Sequence, residues 1–427
     1  MKLMLSLFSY PAFLFKKKPE YFYVLDMGGF GVKALLVELM SEGKEATVRA
    51  YAHEPYDRSK MQGDALSSPE AVFASCKHVL EVLKHNLPFA VSTKNVLLGL
   101  SGGFVGGRTS TFFHNRENPT QEIDQAELKY ILQRAQQSAY EEIRKDFAND
   151  TGRSETEVFL FNTLVSEIKI DGYRILSPLN FTGEEISTSI FNAFIARPHL
   201  AYFMQICQHL GLAVKMVVYE ALAMHQAFVN THTPDEDALF IDIGGSETGI
   251  ALTRKGKLEN VSTVAVGGNA FNYKLTQELG VGFWEAEHIK MHYSERRLSP
   301  VVIKKVGAML ENESNFMLRG LELVLRDFSQ VNLLPSDIYL YGGGSQFALI
   351  AKMLKSSSWR RNISFVDLTR IHAVDTTMFS SLDIREGTLP LLFTPALAVA
   401  QFGIHEWHKR EDILSKTVKR MAKIIQG

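Results

Sequence analysis

Short apolar runs separated by glycines and charged turns open both halves of the chain. In each half three such runs follow in close succession, and each has the length of a β-strand. The predicted strands are 21–25, 32–39 and 46–52 in the first half, and 238–241, 248–254 and 258–265 in the second. The return of one strand meander at about half the chain length predicts two related halves.

Segments with a helical period lie between these meanders. They alternate with further apolar runs, which indicates an α/β protein. The predicted helices are 69–87, 124–147, 199–210, 221–231, 270–279, 283–292, 299–326 and 346–354, and the further strands are 96–100, 108–113, 158–170, 173–176, 187–195, 212–219 and 338–341. Residues 93–185 are predicted to form a self-contained α+β unit in the first half, with a linker between the halves at 231–234.

Length and composition exclude several classes of protein. The 427 residues suffice for two domains or for one two-lobed body. The net charge of −1 gives no field that would attract nucleic acid, so no nucleic-acid partner is expected. Cys76 and Cys207 alone do not indicate a disulfide framework, which fits a reducing cytoplasm. No apolar run reaches the roughly 18 residues that a membrane-spanning helix needs.

Three predicted strands run directly into glycine turns, and two of these turns follow an aspartate. The turn residues are Asp26, Gly28 and Gly29, then Asp242, Gly244, Gly245 and Ser246, and finally Gly342, Gly343 and Gly344. A glycine turn lets backbone N–H groups approach phosphates, because no Cβ intervenes. A carboxylate at the end of the preceding strand can hold a hydrated Mg²⁺ against those phosphates. The spacings of a dinucleotide fingerprint and of a P-loop are absent, so the turns predict a nucleotide cleft of another kind.

Both termini combine apolar and basic residues. Residues 1–19 form an apolar, aromatic arm that contains four lysines, and it either touches a membrane surface or partner or folds onto the protein itself. A helix over 410–427 would be amphipathic. Its apolar face would hold Ile413, Leu414, Val418, Met421, Ile424 and Ile425, and its basic face Lys416, Lys419, Arg420 and Lys423. This pattern favours contact with an anionic membrane surface. The alternative is a terminal helix docked on the core.

Eight short motifs follow one another along the chain. They are VLDMGGFGVKALLVE at 24–38, VLLGLSG at 96–102, EID at 122–124, IDGY at 170–173, PLNFTG at 178–183, VGGN at 266–269, AEHIK at 286–290 and LYGGG at 340–344. In this order they resemble the actin-like ATPase superfamily, and within it the group of the cell-division protein FtsA and of PilM from type IV pili. The resemblance covers nearly all of residues 20–427.

The resemblance implies a bilobed actin-like ATPase fold. In this fold a ribonuclease H-like domain is present twice, and an FtsA-type α+β subdomain, the SHS2 domain, is inserted. The implied divisions are an N-terminal arm (1–19), a first-lobe core (20–92, 186–232 and 390–409), the inserted subdomain (93–185), a second-lobe core (233–268 and 336–389), a smaller second-lobe subdomain (269–335) and the C-terminal helix (410–427).

The resemblance also implies roles for residues of the cleft. Asp26 and Asp242 would face MgATP from the two lobes and ligate the ion through water, while the glycine turns bind the phosphates. Glu220 would position the attacking water, although an acid there can instead stabilise the start of a helix. The other implied nucleotide ligands are Lys33, Gly267, Gly268, Glu287, Lys290 and the third glycine turn.

Three of these assignments have open alternatives or departures. Lys33 can steady the phosphate strand or be a surface lysine. Glu287 and Lys290 share one helix face and can hold the ribose and adenine or form a surface ion pair. Gly29 stands where related proteins usually have Thr or Ser. Loss of that hydroxyl predicts ATP binding with weak or absent hydrolysis.

The resemblance favours an FtsA-like protein that polymerises on the cytoplasmic face of the inner membrane and tethers FtsZ, the tubulin-like division protein. The alternative is a PilM-like adaptor of type IV pilus assembly that binds a peptide of a membrane protein. The basic amphipathic helix favours the first interpretation and the apolar arm the second. A small-molecule kinase of the same fold would need a catalytic aspartate over a substrate pocket, and the sequence offers no convincing candidate.

Overall fold

A computed structural model describes residues 19–40, 45–61, 66–87, 91–233, 236–329, 332–355, 359–384 and 389–408, together with Arg420. The predicted arm, except for Pro19, and the predicted amphipathic helix, except for Arg420, lie outside the described residues. None of the helices in these ranges is both long and apolar enough to cross a membrane.

The described elements alternate between strands and helices along the chain. In chain order they are β1 (Glu20–Met27), β2 (Gly31–Leu39), β3 (Ala46–Pro55), α1 (Pro69–His85), β4 (Asn95–Leu100), β5 (Val105–Asn115), α2 (Gln125–Thr151), β6 (Val158–Ile170), β7 (Tyr173–Ile175), β8 (Glu185–Ala196), α3 (Arg197–His209), β9 (Ala213–Tyr219), α4 (Glu220–Thr231), β10 (Ala238–Ile243), β11 (Thr248–Arg254), β12 (Lys257–Val264), α5 (Gly268–Leu279), α6 (Phe283–Ser294), α7 (Pro300–Phe328), β13 (Asp337–Tyr341), α8 (Ala348–Lys355), β14 (Arg370–Ala373), β15 (Leu382–Ile384) and α9 (Thr394–His408). The α/β class and the two strand meanders are confirmed.

The two halves repeat one pattern of strand pairing. β1 is antiparallel to β2 and parallel to β4, and β10 is antiparallel to β11 and parallel to β13. Asp26 lies opposite Lys33 and Asp242 lies opposite Gly249, so both aspartates have the same position in their sheets. This shared register confirms the predicted duplication and gives the bilobed actin-like fold.

The six-stranded sheet of the first half has the order β15-β3-β2-β1-β4-β9. Its central strands are buried almost throughout, because helices cover both faces and leave no side for polar residues. α9 is one of the covering helices. Residues 396–400 are all buried there, and each of them is apolar. Because the helix has no polar face in this stretch, the sequence shows no helical period from which it could be predicted.

The inserted unit is less separate than its sequence suggests. Its strands β5, β6 and β7 extend the second sheet, whose order is β14-β13-β10-β11-β12-β5-β8-β6-β7, whereas β4, which also falls within 93–185, pairs with β1 in the first sheet. β12 meets β5 through Asn260 and Arg108, and an ion pair of 2.8 Å joins Lys257 to Glu167 beside this junction. Strand pairing between distant segments leaves no local signal in the sequence, so this junction could not be predicted. The domain boundaries themselves stay predictions.

Candidate functional site

A cavity of about 1000 Å³ lies between the two glycine turns that follow the aspartates. The cavity brings together nearly every residue that the sequence proposes as a ligand. Its walls include Asp26, Gly28, Gly29, Lys33, Glu220, Asp242, Gly244, Gly245, Ser246, Gly268, Glu287, Lys290, Gly342, Gly343 and Gly344. Gly267 lies directly behind the wall, where a Cβ would come within 2.6 Å of the carbonyl oxygens of Gly244 and Gly245.

A buried cluster of three carboxyl groups and one lysine forms one end of the cavity. The Lys33 Nζ lies 2.7 Å from the Asp26 carboxylate. Burial opposes the charge of Lys33, but its interactions with Asp26, Glu220 and Asp242 outweigh this effect and raise its pKa. Lys33 is therefore not a surface lysine. Its place opposite Asp26 in the β1–β2 register explains why it points into the cleft.

Two of the three acids hold protons more tightly than usual. Burial raises the pKa of Asp242 to about 7, against an opposing effect of Lys33. Burial and the nearby Asp26 raise the pKa of Glu220 well above its ordinary value. The Glu220 Oε1 atom is buried and has no hydrogen-bond partner among the described residues. A cation entering this cluster would ionise the acids and satisfy that oxygen.

Glu220 is also the first residue of α4, where a carboxylate interacts favourably with the helix dipole. Both interpretations of Glu220 thus have a structural basis. Its burial, with 2% of the residue exposed, places the carboxyl group in the cavity wall rather than at a solvated helix end.

α6 and the third glycine turn line another part of the cavity wall. The Lys290 Nζ lies 2.8 Å from Glu287 Oε2 and donates to the carbonyl oxygen of Gly268 at 3.2 Å. The side chains of Glu287 and Lys290 are only 16% and 8% exposed, so they are not a surface ion pair.

Gly342 has a φ of 81°, and a Cβ there would collide with the carboxylate of Asp242. Only glycine therefore fits at position 342, where the third turn lies against the acid cluster.

The turns of the two lobes touch each other. The Ser246 hydroxyl donates to the carbonyl oxygen of Gly29 at 3.2 Å, and Asn269 donates to the same oxygen at 3.3 Å. A Cβ at Gly29 would lie 2.8 Å from the backbone nitrogen of Ser246. A serine or threonine at this position would thus collide with the second lobe, which explains the departure at Gly29 in physical terms.

Aromatic residues close one side of the cleft. The Arg58 guanidinium lies 4.4 Å from the ring centre of Phe283, and the rings of Phe30 and Trp284 are 5.7 Å apart. Arg58 and Phe30 belong to the first lobe, and the other two residues belong to α6 of the second. Cation–π and edge-to-face contacts of this kind stabilise the closed arrangement.

Glu247 is a site residue that the sequence alone did not indicate. Its carboxylate crosses the cleft and accepts a hydrogen bond of 2.7 Å from the backbone N–H of Gly103, in the turn after β4. Glu247 follows Ser246 directly, so its proximity to the second turn was visible in the sequence. Its partner is far away along the chain, and no local pattern connects the two.

No group of three or more His, Cys, Asp or Glu residues within the described ranges lies close enough to hold a metal ion directly. Asp26 and Asp242 nevertheless line the same cavity from the two lobes, as the sequence predicts.

Comparisons with known proteins support the fold. No family model matches the chain. The cell division protein FtsA of Neisseria meningitidis serogroup B (strain ATCC BAA-335 / MC58) is 27% identical over 119 residues, which are 28% of this chain and 29% of that relative. The alignment thus spans less than a third of FtsA.

Solved structures cover much more of the chain. A chain of the PilM–PilN type IV pilus biogenesis complex is similar with a TM-score of 0.64 at 18% identity, over 90% of this chain and 98% of that chain. The ethanolamine utilization protein EutJ from Carboxydothermus hydrogenoformans is a weaker match, with a TM-score of 0.45 at 14% identity, over 91% of this chain and 92% of that one. The first of these matches shows a shared fold.

Proposed function

Because this chain has the bilobed actin-like ATPase fold and is similar to FtsA and PilM, we propose that it binds ATP and Mg²⁺ in the cleft between its glycine turns. The observation that carries the proposal is the convergence of Asp26, Glu220 and Asp242 on Lys33 in one cavity. These residues come from distant parts of the chain, and both aspartates occupy the same position in their sheets.

The acid cluster suits a hydrated magnesium ion. Mg²⁺ keeps several of its waters and is held by one or two carboxylates together with phosphates, so direct ligation by three acids is not required. The raised pKa of Asp242, about 7, and the Oε1 of Glu220, which has no partner in the described part of the chain, both fit a site that binds a cation. Asp26 and Asp242 would hold the ion through water, and Lys33 would offer its charge to a phosphate.

The remaining wall suits a nucleoside. Glu287 and Lys290 would take the ribose hydroxyls and the edge of adenine, and Gly343 and Gly344 let the nucleoside approach the backbone closely. Backbone N–H groups of the first two turns would bind the phosphates.

We infer binding with weak or absent hydrolysis. A residue that positions attacking water as a base must accept a proton, and burial raises the pKa of the Glu220 carboxyl well above its ordinary value, which opposes its ionised form. The Gly29 position supplies no hydroxyl to the phosphates. ATP hydrolysis would therefore require a bound cation that first ionises the Glu220 carboxyl group.

The biological role proposed first is FtsA-like. The protein would polymerise on the cytoplasmic face of the inner membrane, contact anionic lipid through 410–427 and tether an FtsZ-like tubulin homologue. The similarity to FtsA over 119 residues and the amphipathic sequence pattern support this role.

A second role, that of a PilM-like adaptor, is supported by the fold match that covers 98% of a chain from the PilM–PilN type IV pilus biogenesis complex. In that role the partner would be a pilus membrane protein, and contact with lipid through the C-terminus would not be needed.

The nucleotide site is tested by Asp242→Ala. We expect this variant to lose MgATP affinity by about 100-fold or more, because it removes one of the two carboxylates proposed to hold the ion. Isothermal titration calorimetry with and without EDTA measures the loss and its dependence on metal. Asp146→Ala is the matched control, since Asp146 is a half-exposed acid on α2. Retained affinity in Asp242→Ala would show that the phosphate site lies elsewhere.

A further inference from the structure

The contact of Glu247 with the first lobe has the features of an anion site. Gly102 has a φ of 95°, and a Cβ there would collide with the Glu247 carboxylate. The next residue, Gly103, gives its backbone N–H to that carboxylate at 2.7 Å. A positive-φ glycine followed by a donated N–H forms a concave backbone turn that binds anions. The turn after β4 therefore holds an anion that the protein itself supplies.

This internal anion lies where the two lobes meet. Ser246, the neighbour of Glu247, already contacts Gly29 of the first turn, and Asn269 contacts the same carbonyl oxygen. The glycine turns thus satisfy each other's polar groups across the cleft. A phosphate that binds between the turns would lie beside these contacts.

The proposed roles of the wall residues indicate where a phosphate tail would end. Glu287 and Lys290 are proposed to hold the nucleoside, and the acid end, with Asp26, Glu220 and Asp242, is proposed to hold the ion beside the last phosphates. Glu247 directly precedes Thr248, which pairs with Ile243 next to Asp242, so Glu247 lies beside the acid end. The terminal phosphate of a triphosphate would reach this end, whereas a diphosphate would stop one phosphate short of it.

We propose that Glu247 takes the place of a terminal phosphate and makes the cleft prefer a nucleoside diphosphate to a triphosphate. This inference rests on the proposed function, because it needs a nucleotide in this cleft. The carboxylate occupies the Gly102–Gly103 turn, and its negative charge repels a third phosphate more strongly than it repels the first two. Glu247 is thus a specificity-determining residue, and release of its contact with Gly103 accompanies binding of a triphosphate.

The experiment compares MgADP and MgATP affinities of the full chain with those of Glu247→Gln. Glutamine keeps an acceptor oxygen for the Gly103 N–H but removes the charge. We expect the wild-type protein to prefer MgADP, and the variant to gain about tenfold in MgATP affinity, with less than about a twofold change for MgADP. Calorimetry measures both affinities.

Glu285→Gln is the matched control. Glu285 makes the same kind of contact, in which the Gly282 N–H donates to its carboxylate at 2.9 Å, but it is exposed and lies outside the cavity wall. The ratio of MgATP to MgADP affinity should not change in this variant.

A second measurement tests the contact without nucleotide. Hydrogen exchange of the Gly103 amide should be slow in the wild-type protein and at least tenfold faster in Glu247→Ala. Equal exchange in the two proteins, or an unchanged affinity ratio in Glu247→Gln, overturns the role of Glu247 and leaves nucleotide binding intact. If the wild-type protein binds neither nucleotide, the proposed function fails and this inference fails with it.

Discussion

At the scale of single residues, the site is a buried group of charges that is costly to the fold. Asp26, Glu220 and Asp242 share one lysine, Lys33. Carboxylates that lie close together in a low-dielectric environment raise each other's pKa, and burial adds to the effect. Groups of this kind are common at functional sites, since a ligand can supply the charge that the protein lacks. Stability without ligand should therefore improve when one acid is removed.

Asp242→Asn is expected to stabilise the nucleotide-free protein, and more at pH 8 than at pH 4. The folded-state pKa of Asp242 is about 7 and its ordinary value is 3.8. A carboxyl group with a raised pKa stabilises the fold fully below its ordinary pKa, and this contribution is lost as the pH rises through the folded-state value. The asparagine has no proton to lose. Urea denaturation at pH 4, 6 and 8 measures the difference.

Asp337→Asn is the control with the opposite sign. Hydrogen bonds from Arg370 and His372 hold the pKa of Asp337 at about 2. Its carboxylate stabilises the fold above pH 4 and loses this effect as the pH falls, so asparagine should destabilise the protein at pH 8. If Asp242→Asn lost the same stability at all three pH values, the prediction that the buried Asp242 carboxylate destabilises the fold at high pH would be wrong.

At the scale of elements, one buried guanidinium organises the entry to α2. Arg116 donates to both oxygens of Glu127, at 2.7 and 2.9 Å, and to the carbonyl oxygens of Gln121 and Gly183 at 2.8 and 3.0 Å. Its side chain is only 1% exposed. This side chain therefore adds to the backbone hydrogen bonds that join the loop before α2 to the loop before β8, such as the one from the Ile123 N–H to the carbonyl oxygen of Phe181 at 2.9 Å.

Arg116→Met should destabilise the protein by about 2–4 kcal/mol, because it leaves several buried carbonyl groups and Glu127 without their donor. Urea denaturation measures the loss, and hydrogen exchange should locate it in residues 116–127 and 183–185. Arg153→Met is the control. Arg153 forms an exposed pair with Glu157, and its loss should cost about 0.5 kcal/mol or less. A loss of similar size in both variants would contradict the organising role of Arg116.

At the scale of the whole molecule, the lobes are held together by contacts on both sides of the nucleotide cleft. Arg58 and Phe30 meet α6 on one side, and Glu247 meets Gly103 on the other. A nucleotide that changes these contacts would change the angle between the lobes. Lobe geometry is the property by which a filament-forming or adaptor protein could report its bound nucleotide to a partner.

The two proposed roles predict different behaviour on lipid. If the FtsA-like role is correct, the full chain with MgATP should sediment with vesicles containing phosphatidylglycerol, and a chain without residues 411–427 should not. Each basic residue near an anionic surface contributes about 1 kcal/mol. Charge reversal of Lys416, Lys419 and Lys423 to glutamate is the matched control, since it keeps the apolar face.

Electron microscopy of the same samples tests assembly. Filaments on anionic vesicles in MgATP agree with the FtsA-like role. A monomer that ignores lipid, with and without residues 411–427, would contradict it and favour the PilM-like adaptor.

Much of the architecture was readable in the sequence because it rests on local patterns. Strand-length apolar runs, their return at half the chain and the glycine turns after Asp26, Asp242 and Tyr341 predicted the fold and the walls of the cleft. Turns and strands depend on neighbouring residues, so their signal lies in short windows. The resemblance in motif order then led to Glu287 and Lys290, which line the same cavity.

Tertiary structure alone decided how these pieces face each other. Lys33 could equally have been a surface lysine until the β1–β2 register placed it opposite Asp26. The collision that a side chain at Gly29 would cause, the reach of Glu247 to Gly103 and the extension of the second sheet by β5 all join residues that are distant in the chain. Such contacts arise from the docking of two lobes, and the free energy of docking depends on surfaces that no short window of sequence contains.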